Sequence, residues 1–222
     1  QTWTDSARTF KRSYSEPEDT PAVTESKITR SGSGGVVITV PPAALRDSRI
    51  RFDLRKPEYE NDRTFTIIIP AAEVDRRSTI YLSAPRLKLE LPVQATNTIE
   101  VRSLSRSERE QASVRITVEE ARGPEVTDLL RKLPSDLIAA TPIYRLAVTL
   151  TSEGTEKVLA WLEEWVTLST RFDYTQTAQQ QPTVHYYDPA SDSWIPAGYF
   201  TPWSADAALD RTGYWVVLSR PL

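Results

Sequence analysis

The run Val36-Val37-Ile38-Thr39-Val40-Pro41-Pro42-Ala43-Ala44-Leu45 sets the reading of the whole chain. Every residue before the prolines is β-branched, which suits a pleated, half-buried strand better than a helix. A prolyl nitrogen cannot donate to a ladder, so Pro41-Pro42 ends the strand. The same unit returns as Phe65-Thr66-Ile67-Ile68-Ile69-Pro70-Ala71-Ala72-Glu73-Val74: strand, proline, paired alanines, apolar residue. A third, weaker echo, Leu87-Lys88-Leu89-Glu90-Leu91-Pro92, alternates at period two and again closes on proline. Three strands with one punctuation predict a mostly β protein.

Working outward, further strands are expected at 50–54, 79–83, 98–103 and 113–119, the last alternating Val114, Ile116 and Val118 against Arg115, Thr117 and Glu119. Residues 125–133 suit a short helix, with acidic residues early and basic residues late as the macrodipole favours, and Pro134 limits its extension. A strand over 143–151 precedes a turn at Glu153-Gly154. Residues 157–168 carry both periods: Leu159, Leu162, Trp165 and Val166 have helical spacing, while Trp165-Val166-Thr167-Leu168-Ser169 reads as a strand, expected from about Glu164. Strands follow at 183–187, 194–198 and 213–219, the first two joined by a turn over 188–193. The expected fold is a two-lobed antiparallel β-sandwich-like architecture with at most one or two short helices. A polar arm over 1–34 precedes lobe one at 35–140 and lobe two at 141–222.

Composition narrows the function classes. With 39% hydrophobic and 26% charged residues, and 16 prolines against 7 glycines, the 222-residue chain is long enough and apolar enough to bury a core without staples. Twenty-seven basic and 30 acidic residues, interspersed to a net charge of -3, offer no broad attraction to nucleic acid. No apolar run approaches the ~20 residues that span a bilayer. Cysteine is absent, which removes disulfides, thiolate metal sites and a cysteine nucleophile. The opening Gln1-Thr2-Trp3, with no methionine anywhere, reads as a mature form after signal-peptide removal, hence an extracellular or cell-surface location.

The lone histidine, His185, lies in an alternating strand, and no Gly-x-Ser-x-Gly elbow or phosphate-cradling glycine loop accompanies it. Its expected role is structural. The neighbouring carboxylates Glu119-Glu120 and Glu163-Glu164 point to opposite faces of a strand, which makes neither an acid-base couple. No catalytic residues are assigned. If a metal binds, it is calcium, held by oxygen ligands in acidic loops; the candidate ligands are Glu58, Glu60 and Asp62 in one loop and Asp188 and Asp192 in another. Aromatic residues crowd the C-terminal part, and Trp194, Tyr199 and Trp203 are candidate glycan or partner contacts, against the alternative that such rings fill a β core.

The order of elements in the second half carries a resemblance. Pro142-Ile143-Tyr144-Arg145-Leu146, then Val184-His185-Tyr186-Tyr187-Asp188-Pro189-Ala190-Ser191-Asp192-Ser193-Trp194, then Thr212-Gly213-Tyr214-Trp215-Val216 resemble the β modules of Gram-positive S-layer-associated surface proteins. With the proline-alanine turns, the likeness covers residues 35–219. It implies an exported, wall-associated, non-enzymatic module. On that basis the chain is expected to be a structural subunit of a surface layer or filament. It would assemble with copies of itself by edge-strand exchange, the arm residues Trp3, Phe10, Tyr14, Val23 and Ile28 filling a neighbour's pockets. The alternative is a carbohydrate-binding or adhesion module that contacts cell-wall glycan.

Overall fold

The computed structural model describes residues 27–32, 34–170, 182–199 and 206–221. In chain order the strands are β1 (Lys27–Arg30), β2 (Val36–Thr39), β3 (Arg49–Asp53), β4 (Thr64–Pro70), β5 (Thr79–Ser83), β6 (Leu87–Pro92), β7 (Ser113–Glu120) and β8 (Ile138–Ala139). They continue as β9 (Tyr144–Ser152), β10 (Thr155–Val158), β11 (Trp161–Thr170), β12 (Thr183–Asp188), β13 (Ser193–Tyr199), β14 (Asp206–Arg211) and β15 (Gly213–Ser219). Three short helices join them: α1 (Ile99–Arg102), α2 (Arg106–Gln111) and α3 (Pro124–Arg131), one more than expected. The protein is mostly β and consists of two sheets, a sandwich-like class.

The main sheet runs β1-β2-β4-β7-β9-β15-β12-β13, with β10 beside β9 and β8 beside β15. The second runs β14-β11-β6-β5-β3. Alternation selects what lies between them. Phe65, Ile67 and Ile69 of β4, Val114, Ile116 and Val118 of β7 and Leu146, Val148 and Leu150 of β9 join one buried cluster with Ile50, Ile80, Leu82, Leu89, Leu91 and Leu168 of the second sheet.

The repeated sequence unit is a repeated structural unit. β2 and β4 lie in the main sheet, and each ends at proline in a single 3-10 turn (Ala44–Arg46 and Ala71–Glu73) that leads to β3 and β5 in the second sheet. The two units stand side by side in the same orientation. β2 therefore pairs β4 in parallel and β3 pairs β5 in parallel, while the remaining pairs are antiparallel. Val36 lies opposite Phe65 and Ile38 opposite Ile67, the same offset that separates Pro41 from Pro70. Ala44 and Ala71 are buried where the chain turns across the end of the core. The third echo, β6, also ends in a 3-10 turn, Val93–Thr96.

Several expectations change. Residues 98–103 hold helix α1 rather than a strand; within the helix only Val101 is buried, and Ile99 stands 70% exposed, so the two do not form a buried strand face. Helix α2, unforeseen, starts with a capping box in which Ser105 accepts from the Glu108 amide and the Glu108 carboxylate accepts from the Ser105 amide. The arm expected through residue 34 ends earlier, because Lys27–Arg30 is already strand β1. The boundary expected at residue 140 does not divide the sheets: β7 pairs β9 along its whole length, and β6 pairs β11. One core cluster accordingly runs from Val36 to Val217.

A smaller cluster lies on the outer face of the main sheet. Leu129 of α3 packs there with Ile143, Trp194, Val216 and Leu218. The helix is fixed at both ends: Glu125 accepts from the Tyr214 hydroxyl, and Lys132, its C-cap, donates to Asp192 at 2.5 Å and to the Tyr187 hydroxyl at 2.9 Å.

Candidate functional site

The chain changes sheets between β10 and β11. β10 is a hairpin partner of β9 in the main sheet, and after Leu159-Ala160 the chain enters the second sheet as β11. Leu159 is fully buried and its amide donates to the Val148 carbonyl at 2.8 Å, anchoring the corner. Beyond it β11 is irregular. Trp161 lies opposite Arg211 and Val166 opposite Leu209, so four residues on β11 oppose the single Asp210 of β14, which makes a bulge. Bulges re-aim side chains at sheet ends.

The stretch through this corner carries exposed apolar side chains. Seven large hydrophobic side chains stand exposed among the described residues, and Val158, Trp161 and Trp165 are three of them, at 65%, 59% and 55%. Ile99 of α1 is 70% exposed, and Arg102 at the end of that helix bonds Glu163 in the bulge at 2.9 Å.

The corner is rigidly built. The Arg211 guanidinium lies 4.3 Å from the ring centre of Trp161 and 5.1 Å from that of Tyr186, while Asp210 accepts from its Nε at 2.8 Å and from its Nη2 at 3.0 Å. Asp210 first of all raises the Arg211 pKa, so this cation is permanent. Behind it Tyr186 packs on Trp215 with ring centres 5.3 Å apart, and the Trp215 indole N–H donates to the Arg211 carbonyl at 3.2 Å. Trp161, Arg211, Tyr186 and Trp215 thus form one stack from surface to core. Gly213 admits Tyr186 to it: at φ +131° a Cβ there would lie 2.6 Å from the Tyr186 ring.

The residues singled out from sequence fare differently. Trp194 is a core residue, 6% exposed, whose indole N–H donates to the Leu129 carbonyl at 3.0 Å, so it cannot contact a glycan. The Tyr199 side chain and Trp203 lie outside the described residues, as do Trp3, Phe10, Tyr14 and Val23. Ile28 is described: it sits opposite Ile38 of its own chain, in a hairpin closed by Ser31 and Gly35, with its side chain 41% exposed.

The acidic loops have other tasks. Asp62 accepts from Arg30 at 2.7 Å, and the Glu58 carbonyl accepts from the same guanidinium, which also lies over the Tyr59 ring; the first acidic loop therefore latches β1. Asp188 accepts from the amides of Ala190 and Ser191 and forms the β12–β13 turn, and Asp192 holds Lys132. Neither Glu58 nor Glu60 joins Asp62 in a ligand set: among the described residues, no three His, Cys, Asp or Glu side chains gather as metal ligands would.

His185 is 4% exposed and hydrogen-bonded to Thr183, and burial lowers its pKa. Glu119 and Glu120 diverge as expected, to Arg145 at 3.1 Å and to Arg63. A polar depression of about 350 Å³ beside α2 is lined by Ala72, Leu104, Arg106, Arg109 and Glu110, and its Arg106 and Glu110 pair with each other. Sequence reasoning passed over Trp161 altogether and took Trp165 for one apolar position in an ambiguous stretch. The mixed period of 157–168 was the available signal, since a strand that changes sheets through a bulge keeps neither period intact. No family model, no curated protein and no solved structure matches this chain.

Proposed function

We propose that this chain is a non-catalytic structural module of an extracellular surface assembly, attached to its surroundings through the β10–β11 corner. The observation that carries the reading is the pair of exposed tryptophans on one bulged strand. Trp161 is held in place by Arg211, and a ring fixed before binding loses little freedom on contact. The extracellular setting rests on the likeness of the proline-alanine turns and the Tyr186-Tyr187-Asp188 hairpin to S-layer-associated modules. The non-catalytic character is supported by how the ionisable groups are used: His185 is buried against backbone, while Glu119, Glu120, Glu163 and Asp210 each hold an arginine.

Two features favour attachment through the corner over exchange of edge strands. The strand at the start of the main sheet pairs within its own chain through a tight hairpin. The terminal strands of both sheets carry the charges or proline that discourage edge-to-edge pairing: Lys27 and Arg30 on β1, Pro196 on β13, Arg49 and Arg51 on β3, Asp206 and Asp210 on β14. The test is co-sedimentation with purified Gram-positive cell walls. Retention of the chain, and its loss in the Trp161→Ala/Trp165→Ala double variant, is expected. Retention that ignores both substitutions, or release of soluble sugar or peptide from the walls by the chain, overturns the reading.

A further inference from the structure

We infer that two copies of this chain pack face to face through the outer surface of the main sheet, over the part that helix α3 does not cover. Phe65, Ile67, Val114, Ile116, Leu146 and Val148 point into the core, so the residues between them on β4, β7 and β9 point outward. The strand registers set those residues out in rows. The middle row runs Thr29, Val37, Thr66, Thr117, Ala147 from β1 to β9. The next runs Lys27, Thr39, Ile68, Arg115, Thr149, Val158 and reaches β10, and the row on the other side of the middle one holds Thr64, Glu119 and Arg145. Beyond Arg145 the cover begins, since its neighbour Tyr214 donates to Glu125 of α3.

Composition sets this face apart. The outer face of the second sheet carries Arg51, Asp53, Lys88, Glu90 and Asp206, the charged surface of a sheet that meets water. The middle row of the main sheet has no charged side chain, and its residues are small or β-branched. The hydroxyls of Thr66 and Thr117 bond each other at 3.0 Å, so covering them leaves neither without a partner. At the end of the next row Val158 is 65% exposed. Sheets stack about 10 Å apart through side chains of this kind.

Size and charge select a second copy as the occupant. Six strands about 4.8 Å apart and three rows about 6.8 Å deep make an area on the order of 500 Å² in projection. The side chains corrugate it, which brings it near the about 800 Å² per partner of a standard protein interface, whereas a small ligand takes a concave site. Arg115 and Glu119 stand two residues to either side of Thr117 on β7. A two-fold axis along the middle row turns each strand end for end, so each Arg115 faces Glu119 of the second copy and each Thr117 faces its own counterpart. Arg115 is exposed and has no ion pair among the described residues, while Glu119 holds Arg145 through one oxygen at 3.1 Å and keeps acceptor capacity for a second guanidinium.

Sedimentation velocity of the intact chain between about 1 and about 100 μM tests this. A concentration-dependent dimer is expected, weakened roughly tenfold or more in Arg115→Glu and recovered in Arg115→Glu/Glu119→Arg. The chain contains no cysteine, so Thr117→Cys introduces a single reactive thiol. A bismaleimide short enough to bridge sheets about 10 Å apart should join two copies through it, and should not join copies of Thr167→Cys, on the outer face of the second sheet. A chain that stays monomeric overturns the inference; fast maleimide reaction at Thr117→Cys then marks a face open to water, and slow reaction a face covered by the chain itself. A dimer that ignores the charge exchange and is not joined through Thr117→Cys uses another surface and overturns it too. Either failure leaves the corner untouched, because its role is read from wall retention in the tryptophan variants.

Discussion

Trp194 and Trp165 separate two uses of one residue type. The Trp194 indole N–H has a backbone acceptor in Leu129 and its ring packs edge-on against Tyr187, whereas Trp165 stands 55% in solvent. Trp194→Ala is expected to cost about 3–5 kcal/mol of unfolding free energy, and Trp165→Ala no more than about 0.5 kcal/mol, by urea denaturation. Equal costs would mean that the corner is part of the core. His185 adds a pH dependence. Burial lowers its pKa in the folded chain, so its contribution is complete above the ordinary value of about 6.5 and is lost as pH falls below that, because the unfolded chain binds the proton first. Thermal melts between about pH 7 and pH 5 should show a steeper loss in the parent than in His185→Gln; parallel curves would contradict this. At Gly213 a methyl group would collide with Tyr186, so Gly213→Ala should disturb the stack under Trp161 and blunt any ligand-induced change in tryptophan fluorescence.

At the scale of elements, what was legible in the sequence was whatever repeats locally. The β-branched runs, the period-two strands at 113–119 and 143–151 and the helix near 125–133 all correspond to elements, because each burial pattern is written in neighbouring residues. The misread segment at 98–103 and the unforeseen helix α2 show the limit. Ile99 and Val101 look alike in sequence, but only Val101 meets the core, and that depends on the 3-10 turn ahead of it packing against β11. The capping box Ser105-x-x-Glu108 was readable and is the signal that would have found α2. The candidate site was less legible still, because its residues come from α1, β11 and β14, which only the fold brings together. Strand β1 gives a prediction of its own. All four of its residues are exposed, and among the described residues the side-chain contacts that hold it are those of Arg30 to Asp62, Glu58 and Tyr59. Arg30→Ala should speed amide exchange in β1 while lowering global stability by less than about 1 kcal/mol. A collapse of the whole melting transition would show that β1 belongs to the core.

For the molecule as a whole, the interleaving of the two halves governs behaviour. Because β7 pairs β9 and β6 pairs β11 across the point where two lobes were expected, neither half closes its own sheets. Pairings between distant strands leave no local trace in sequence, which is why the boundary at 140 looked plausible. Unfolding in urea should therefore be one transition, with circular dichroism and tryptophan fluorescence coinciding, and a fragment cut after residue 140 should not fold. Two separated transitions would contradict this. The placement of β1 has a mechanical side. Tension entering from the N-terminal side acts first on Lys27, at the open end of a hairpin, where ladder bonds break one after another and the Arg30 latch last. Tension entering from the other side acts on β15, clasped between β9 and β12, where several bonds must shear together. The module is thus an asymmetric spring: under load it lengthens at one end by a few residues while the sandwich behind it stays shut.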